Sequence, residues 1–268
     1  MTTVTEILPY FIHLWLYKIK GMNHKIKYLF LAVTFSTIIS CSKTETTVVE
    51  PSVPKGFLNI QLLHEVDGKA LIYDTILYRN KANNFYSVSR VNYYITNVKL
   101  WGKNNNDYLF DSIMFIDASL NAINLNLSRV PVGNYHSISF NIGIDAARNI
   151  HNAIPNNPEN ISMLWPDVMG GGYHFLKLEG KYLDSLNNEK GIAIHIGLNA
   201  SLVLQNPIIK DMSILENKTT NLSLAMNLNE WFTNPYTFDF NKDGNYTMGD
   251  STAMNFIKNN GNDVFYAK

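Results

Sequence analysis

Phe85-Tyr86-Ser87-Val88-Ser89-Arg90-Val91-Asn92-Tyr93-Tyr94-Ile95-Thr96-Asn97-Val98-Lys99-Leu100-Trp101 is long and aromatic. The turn Lys103-Asn104-Asn105-Asn106-Asp107 follows, and Tyr108 to Asp117 reads as the hairpin partner. Working outward, most of the chain has the same character. Period-two patterns or short apolar runs sit between Gly, Asn, Asp and Pro breaks. Phe57 to Leu62 is an earlier strand. Val132-Gly133-Asn134 turns the chain into a strand from Tyr135 to Ile144. Tyr173 to Tyr182 and Ile192 to Leu204 form a second hairpin across Asp184 to Lys190, and Thr219 to Leu228 gives the last clear strand. Helical signals are few. Asp145 to Asn152 reads as one short turn. Asp250 to Asn259 reads as a helix capped by Asp250 or Ser251, with Ala253, Phe256 and Ile257 as its apolar stripe and Gly261 as its stop. Many short strands with turn signals predict an all-β, two-sheet β-sandwich with one or two short helices, including a C-terminal one.

The N-terminal region reads differently. Asn23-His24-Lys25-Ile26-Lys27 is basic, Tyr28 to Ile39 is apolar, and Ser40-Cys41 follows. That is a charged region, an apolar region and a small-residue cleavage site. Cys41 is the only cysteine, and its position resembles a bacterial lipobox, where the thiol is acylated. The rival is a short membrane helix, but the apolar run falls short of the ~20 residues a span needs. Residues 1–41 are therefore expected to be an upstream extension plus a lipoprotein signal peptide, with Met22 as the better start. Residues 42–55 form a Pro-containing tether, and residues 56–268 a single β-domain. With Cys41 lipidated no disulfide can form, so stability rests on an apolar core. The expected location is the bacterial cell envelope, lipid-anchored at the outer membrane. Lys plus Arg and Asp plus Glu each number 22, and no basic patch argues for nucleic acid.

The chemistry concentrates in Met163-Leu164-Trp165-Pro166-Asp167-Val168-Met169-Gly170-Gly171-Gly172-Tyr173-His174-Phe175-Leu176-Lys177-Leu178-Glu179-Gly180. Methionine sulfur and histidine nitrogen suit copper, and a glycine run lets backbone approach a bound group. Trp165, His174, Met163 and Met169 are candidates here, with His195 on the next strand. Strand register decides which of them meet. If Glu179 stands opposite His195, a carboxylate orients an imidazole from the second shell of a metal site or simply pairs with it. If Gly180 stands there instead, His174 joins the face of His195. The bland alternative is a core histidine bound to Glu179, among aromatics and methionines that only fill the interior.

A second constellation is Asp239-Phe240-Asn241-Lys242-Asp243-Gly244-Asn245-Tyr246-Thr247-Met248-Gly249-Asp250. Asp239, Asn241, Asp243, Thr247 and Asp250 offer side-chain oxygens at calcium-loop spacing. Asn245 offers a backbone carbonyl, and Gly244 sits at the sharp turn. The alternative is a polar surface turn. No Gly-x-Ser-x-Gly, His-Glu-x-x-His, phosphate loop or Cys-x-x-Cys appears, so no enzyme is expected.

Several segments together resemble the MbnP-like family of bacterial extracytoplasmic copper-binding proteins. They are Ser89 to Leu100, Val130 to Tyr135 with Phe140 to Asp145, the block from Met163 and Trp165 to Gly180, His195-Ile196-Gly197, and Asn259 to Phe265. The resemblance implies a β-sandwich that holds copper. It implies a tryptophan, here Trp165, oxidised to kynurenine by a di-haem partner enzyme of the MauG type, with His195 beside it. His64, in Leu62-Leu63-His64-Glu65-Val66-Asp67-Gly68, matches an N-terminal family histidine, and His174 is a third candidate. The motif's second tryptophan is absent, since Pro166 to Met169 occupies that region. The function expected is copper acquisition, storage or delivery by a lipoprotein. The alternative is a surface module that binds glycan or protein and is steadied by a calcium loop.

Overall fold

The long aromatic run becomes the strand around which the larger sheet is built. The computed structural model describes residues 53–120 and 123–268. The expected signal segment, Cys41 and most of the tether lie outside the described residues. The described strands are β1 (Lys55–Val66), β2 (Lys69–Ala70), β3 (Tyr78–Arg79), β4 (Phe85–Gly102), β5 (Tyr108–Asp117), β6 (Ile123–Pro131), β7 (Gly133–Ile142), β8 (His174–Leu183), β9 (Glu189–Gly197), β10 (Val203–Leu204), β11 (Ile208–Ile214), β12 (Thr219–Asn227) and β13 (Phe265–Ala267). Among the described residues the α-helices are α1 (Pro158–Ser162) and α2 (Ser251–Asn260).

Strand β4 pairs with β8 through its first half and with β7 through its second, while β3 and β5 line its other edge. Asn92 and Tyr93 pair with β5 and β8 at once, which fixes those two on opposite edges. β9 extends the sheet beyond β8, and β10 and β11 extend it beyond β7. The smaller sheet runs β13-β12-β1-β2, with β6 also on β1. Its β1–β12 pair is parallel, Phe57 opposite Thr219 through Glu65 opposite Asn227. The chain is thus an all-β two-sheet sandwich.

Alternation drives the packing. Leu58, Ile60 and Leu62 of β1 are buried, as are Val91 and Tyr93 of β4 and Leu176 and Leu178 of β8. Each such side chain contributes about 1.5–3 kcal/mol when fully buried. Edge-to-face aromatic contacts among Tyr86, Phe232 and Phe240 close one end of the core.

One expected strand is shorter than its sequence suggests, and three elements are new. Ile192 to Leu204 is not one strand: Leu198 adopts φ 67°, and β9 stops before it. From Leu198 the chain turns into the short 3₁₀ segment Asn199–Ser201, which ends the ladder. β6 and β11 were not separately expected, nor was α1, where Asn157 Oδ1 accepts from the Asn160 N–H at 2.8 Å and Pro158 opens the helix. Asp145 to Asn152 forms turns, with the Asp145 carbonyl accepting from Arg148 and Asn149. α2 begins one residue after Asp250, whose carboxylate accepts from the Thr252 and Ala253 N–H groups at 3.0 Å.

Candidate metal centre

Hairpin β8–β9 sets the geometry. Lys177 stands opposite His195, and Glu179 opposite Ala193. Paired residues share a face, so Lys177, Glu179 and His195 point the same way. Between His174 and Leu176 the register slips, and His174 stands opposite Gly197. This β-bulge flips the parity of β8 and returns His174 to the face of His195. Neither sequence register is the observed one, yet both contacts form. His195 Nε2 lies 2.9 Å from Glu179 Oε1, and the His174 and His195 rings are 5.0 Å apart, edge to face.

Trp165 lies over the bulge. Leu164 bridges to Tyr173, the Trp165 N–H donates to Gly172 O at 2.9 Å, and the His174 N–H to Met163 O at 2.6 Å. Gly170, Gly171 and Gly172 all take positive φ, which the doubled-back chain demands. The indole is fully buried, 4.8 Å from the His174 ring, and its Nε1–H donates to Met169 O at 3.2 Å. It packs on Gly197, where an added Cβ would lie 2.4 Å from Cε3. The glycine of His195-Ile196-Gly197 is therefore the floor of the tryptophan site.

The partners fix the tautomers. His174 Nδ1 lies 3.1 Å from the Met163 carbonyl, which can only accept, so Nδ1 carries the proton and Nε2 keeps its lone pair. His195 Nε2 faces a carboxylate, so Nε2 carries the proton there, and Nδ1 makes no hydrogen bond among the described residues. Burial, then the neighbouring His195, push the His174 pKa down to about 4, so this ring is neutral at pH 7. The His195 hydrogen bond first, then Arg90 at 3.0 Å, hold the Glu179 carboxyl below its usual range against the opposing effect of burial. Burial also lowers the Lys177 ammonium.

The model of one family, MbnP, matches residues 55–250. The chain belongs to the MbnP family. Among solved structures it is similar to MbnP from Methylosinus trichosporium, at 13% identity over 68% of this chain and 80% of that one, with a TM-score of 0.45. No curated protein matches it.

The remaining candidates of this MbnP domain fall outside the Trp165–His174–His195 group or enter it by backbone. His64 lies on β1 with its Nε2 2.9 Å from Tyr93 Oη. Tyr93 pairs with Leu176, so it faces away from Lys177 and His195, and His64 lies across the sheet from them. Burial pushes the His64 pKa down to about 4, against the pull of Asp117. Met163 is fully buried and Met169 partly so, and both serve through their carbonyls. His151, unmarked by any local pattern, sits at the same glycine turn with Nδ1 3.1 Å from Asp167 Oδ1. Among the described residues no three His, Cys, Asp or Glu side chains form a metal cage. What the bulge brings together is two imidazole rings beside an indole.

The acidic loop runs along β9. Asp239 Oδ1 accepts from the Asn241 N–H at 2.9 Å, and Asp243 Oδ2 from the Asp239 N–H at 2.8 Å. The later positions have other partners. The Asn245 carbonyl accepts from Ala193, Thr247 Oγ1 bonds both backbone groups of His195, and Asp250 caps α2. The loop thus backs the strand that carries His195.

Proposed function

We propose that this MbnP domain is the extracytoplasmic, lipid-anchored part of a copper acquisition, storage or delivery system, and that it binds copper without turnover at His174 and His195 beside Trp165. One observation carries the proposal: two neighbouring imidazoles each have one ring nitrogen bonded to a carbonyl or carboxylate and the other without a hydrogen bond among the described residues. Ligand histidines are oriented in this way, and imidazole is a ligand type that suits copper. Family membership supports an extracytoplasmic, non-catalytic role. Oxidation of Trp165 to kynurenine by a MauG-type di-haem partner would add an amine and a carbonyl beside the two nitrogens. That would complete a donor set which two imidazoles alone leave short.

Copper titration of the purified chain tests the proposal. His174→Ala and His195→Ala are each expected to abolish stoichiometric binding while the fold persists. Unchanged stoichiometry in both variants removes the site. Intact-mass measurement on protein from its native host tests the tryptophan change.

A second proposal, calcium at Asp239 and Asp243 with Asn241, is favoured by the turn that brings the two carboxylates together. It is compatible with copper at the bulge. Asn245, Thr247 and Asp250 already have protein partners, so this site would hold calcium weakly.

A further inference from the structure

At one end of the sandwich three turns gather around the start of β1. The Val132 N–H donates to Pro54 O at 2.9 Å, the Asn217 N–H to Lys55 O at 3.0 Å, and the Phe57 N–H to Lys218 O at 2.9 Å. The Lys103 N–H donates to Asn134 O at 2.9 Å. These bonds bring together the β4–β5, β6–β7 and β11–β12 turns. The described chain begins here, at Val53.

The surface of this end is basic with apolar tips. Lys55, Arg129 and Lys218 are exposed and have no ion pair or side-chain hydrogen bond among the described residues. Most other charges here cancel. Lys103 pairs with Asp211 and Lys99 with Asp107, each at 2.8 Å, which leaves Glu216 as the opposing charge. Val53 and Leu215 stand among the cations, each 59% exposed. Single exposed apolar residues are ordinary. Apolar tips among unpaired cations suit a lipid headgroup layer, where cations meet phosphate and apolar side chains reach the acyl boundary.

Chain length adds a second argument. Eleven residues, 42–52, lie between Cys41 and Val53. Fully extended they reach at most ~40 Å. An acylated Cys41 therefore keeps this end of the domain at high effective concentration beside the bilayer. A surface so confined needs little affinity of its own to settle.

We propose that this end of the sandwich is a membrane-docking surface. It seats on the headgroups of an anionic bilayer through Lys55, Arg129 and Lys218, with Val53 and Leu215 entering the interface. The proposal rests on the lipid anchor at Cys41 and goes beyond it, because a tether alone leaves the domain free to tumble. Seating fixes where the histidines stand. Tyr93 of β4 pairs with Leu176 beside the bulge, and β4 ends at Gly102 near the docked turns. Those nine steps along the strand span roughly 30 Å. Trp165, His174 and His195 are thereby held clear of the lipid, on the aqueous side.

The acylated chain, purified from bacterial membranes, tests this in vesicles of three parts phosphatidylethanolamine to one of phosphatidylglycerol. Cys41 is the only native cysteine, so once it is acylated a thiol-reactive fluorophore labels only an introduced one. At Leu215→Cys the label is expected to shift to the blue and to be quenched by nitroxide lipids. At Leu186→Cys, 80% exposed in the β8–β9 turn at the opposite end, it is expected to stay in water. Combining Lys55→Glu, Arg129→Glu and Lys218→Glu is expected to abolish the Leu215→Cys signal while the chain still floats with the vesicles. Raising salt to about 0.5 M should release the parent chain's contact in the same way. The surface is overturned if the Leu215→Cys label stays in water, if both labels respond alike, or if neither charge reversal nor salt changes the signal. Failure of the chain to float overturns the lipid anchor and the surface with it, so flotation separates the two readings.

Discussion

Gly197→Ala tests the most specific packing feature of the molecule. Gly197 is not in the left-handed region, so alanine carries no backbone penalty, and the effect is steric. The new Cβ would lie 2.4, 2.7 and 2.9 Å from Cε3, Cζ3 and Cδ2 of Trp165. Carbon atoms sit comfortably at about 3.5–4.0 Å, so the ring must retreat by roughly 1 Å. It has little room, being fully buried, bonded to Met169 O and packed on His174. Overpacking of this kind costs about 1–3 kcal/mol. Alanine returns about 0.4–1 kcal/mol by restricting the unfolded chain, which leaves a net loss of roughly 1–2 kcal/mol. Urea unfolding measures it as a lower midpoint at unchanged slope, and copper affinity is expected to fall with it. Gly191→Ala on the same strand is the control. Its Cβ meets only the Tyr246 hydroxyl at 3.0 Å, the end of a side chain that is 62% exposed. If Gly197→Ala is as stable as Gly191→Ala and its tryptophan fluorescence is unchanged, the account of Trp165 packing is wrong.

Glu179→Gln keeps the shape of the His195 partner but removes its charge. Copper affinity is expected to fall about 10–100-fold in a competition titration, and an unchanged affinity removes Glu179 as the orienting group. His64 has its folded pKa at about 4, below the ordinary 6.5. The unfolded chain therefore binds the proton first, and this stabilisation is present above about pH 6.5 and lost as pH falls towards 4. His64→Gln should flatten that part of a stability-against-pH curve, and an identical slope would show that the ring titrates normally. Asp250→Ala removes the α2 cap and should cost about 1 kcal/mol in thermal or urea unfolding; a neutral result would mean the cap is idle. Chelation by EDTA should lower the melting temperature, with calcium alone restoring it, if Asp239 and Asp243 hold the ion. No shift on chelation ends the calcium proposal.

Much of the fold was legible because β-structure writes itself in period two. Phe85 to Trp101 and Tyr108 to Asp117 are the observed β4 and β5 to within a residue. Asp250 signalled α2 because a short carboxylate before an apolar stripe has one obvious use. Strand β6 alternates as plainly, with Ile123, Leu125 and Leu127 facing inward between polar neighbours, whereas the bulge at Lys210-Asp211 breaks the alternation of β11. Leu198 gave no sign of its left-handed backbone, because nothing in a leucine predicts a conformation that only its surroundings enforce.

The candidate site divides along the same line. The residues themselves were readable: the Met163 to Gly180 block, and His195 beside its glycine, stand out by chemistry alone, and the family they resemble is the family to which the chain belongs. Which of them meet was not. A regular hairpin allows His195 to share a face with either Glu179 or His174, never both, because side chains alternate with period two. The single extra residue between His174 and Leu176 breaks that parity, and His64 is left across the sheet by the same alternation. A bulge is stabilised by long-range packing, here the indole over Gly197 and the Met163 carbonyl against His174. Only the folded chain brings those groups together, so composition and order name the candidates, and tertiary contact alone decides which of them face one another.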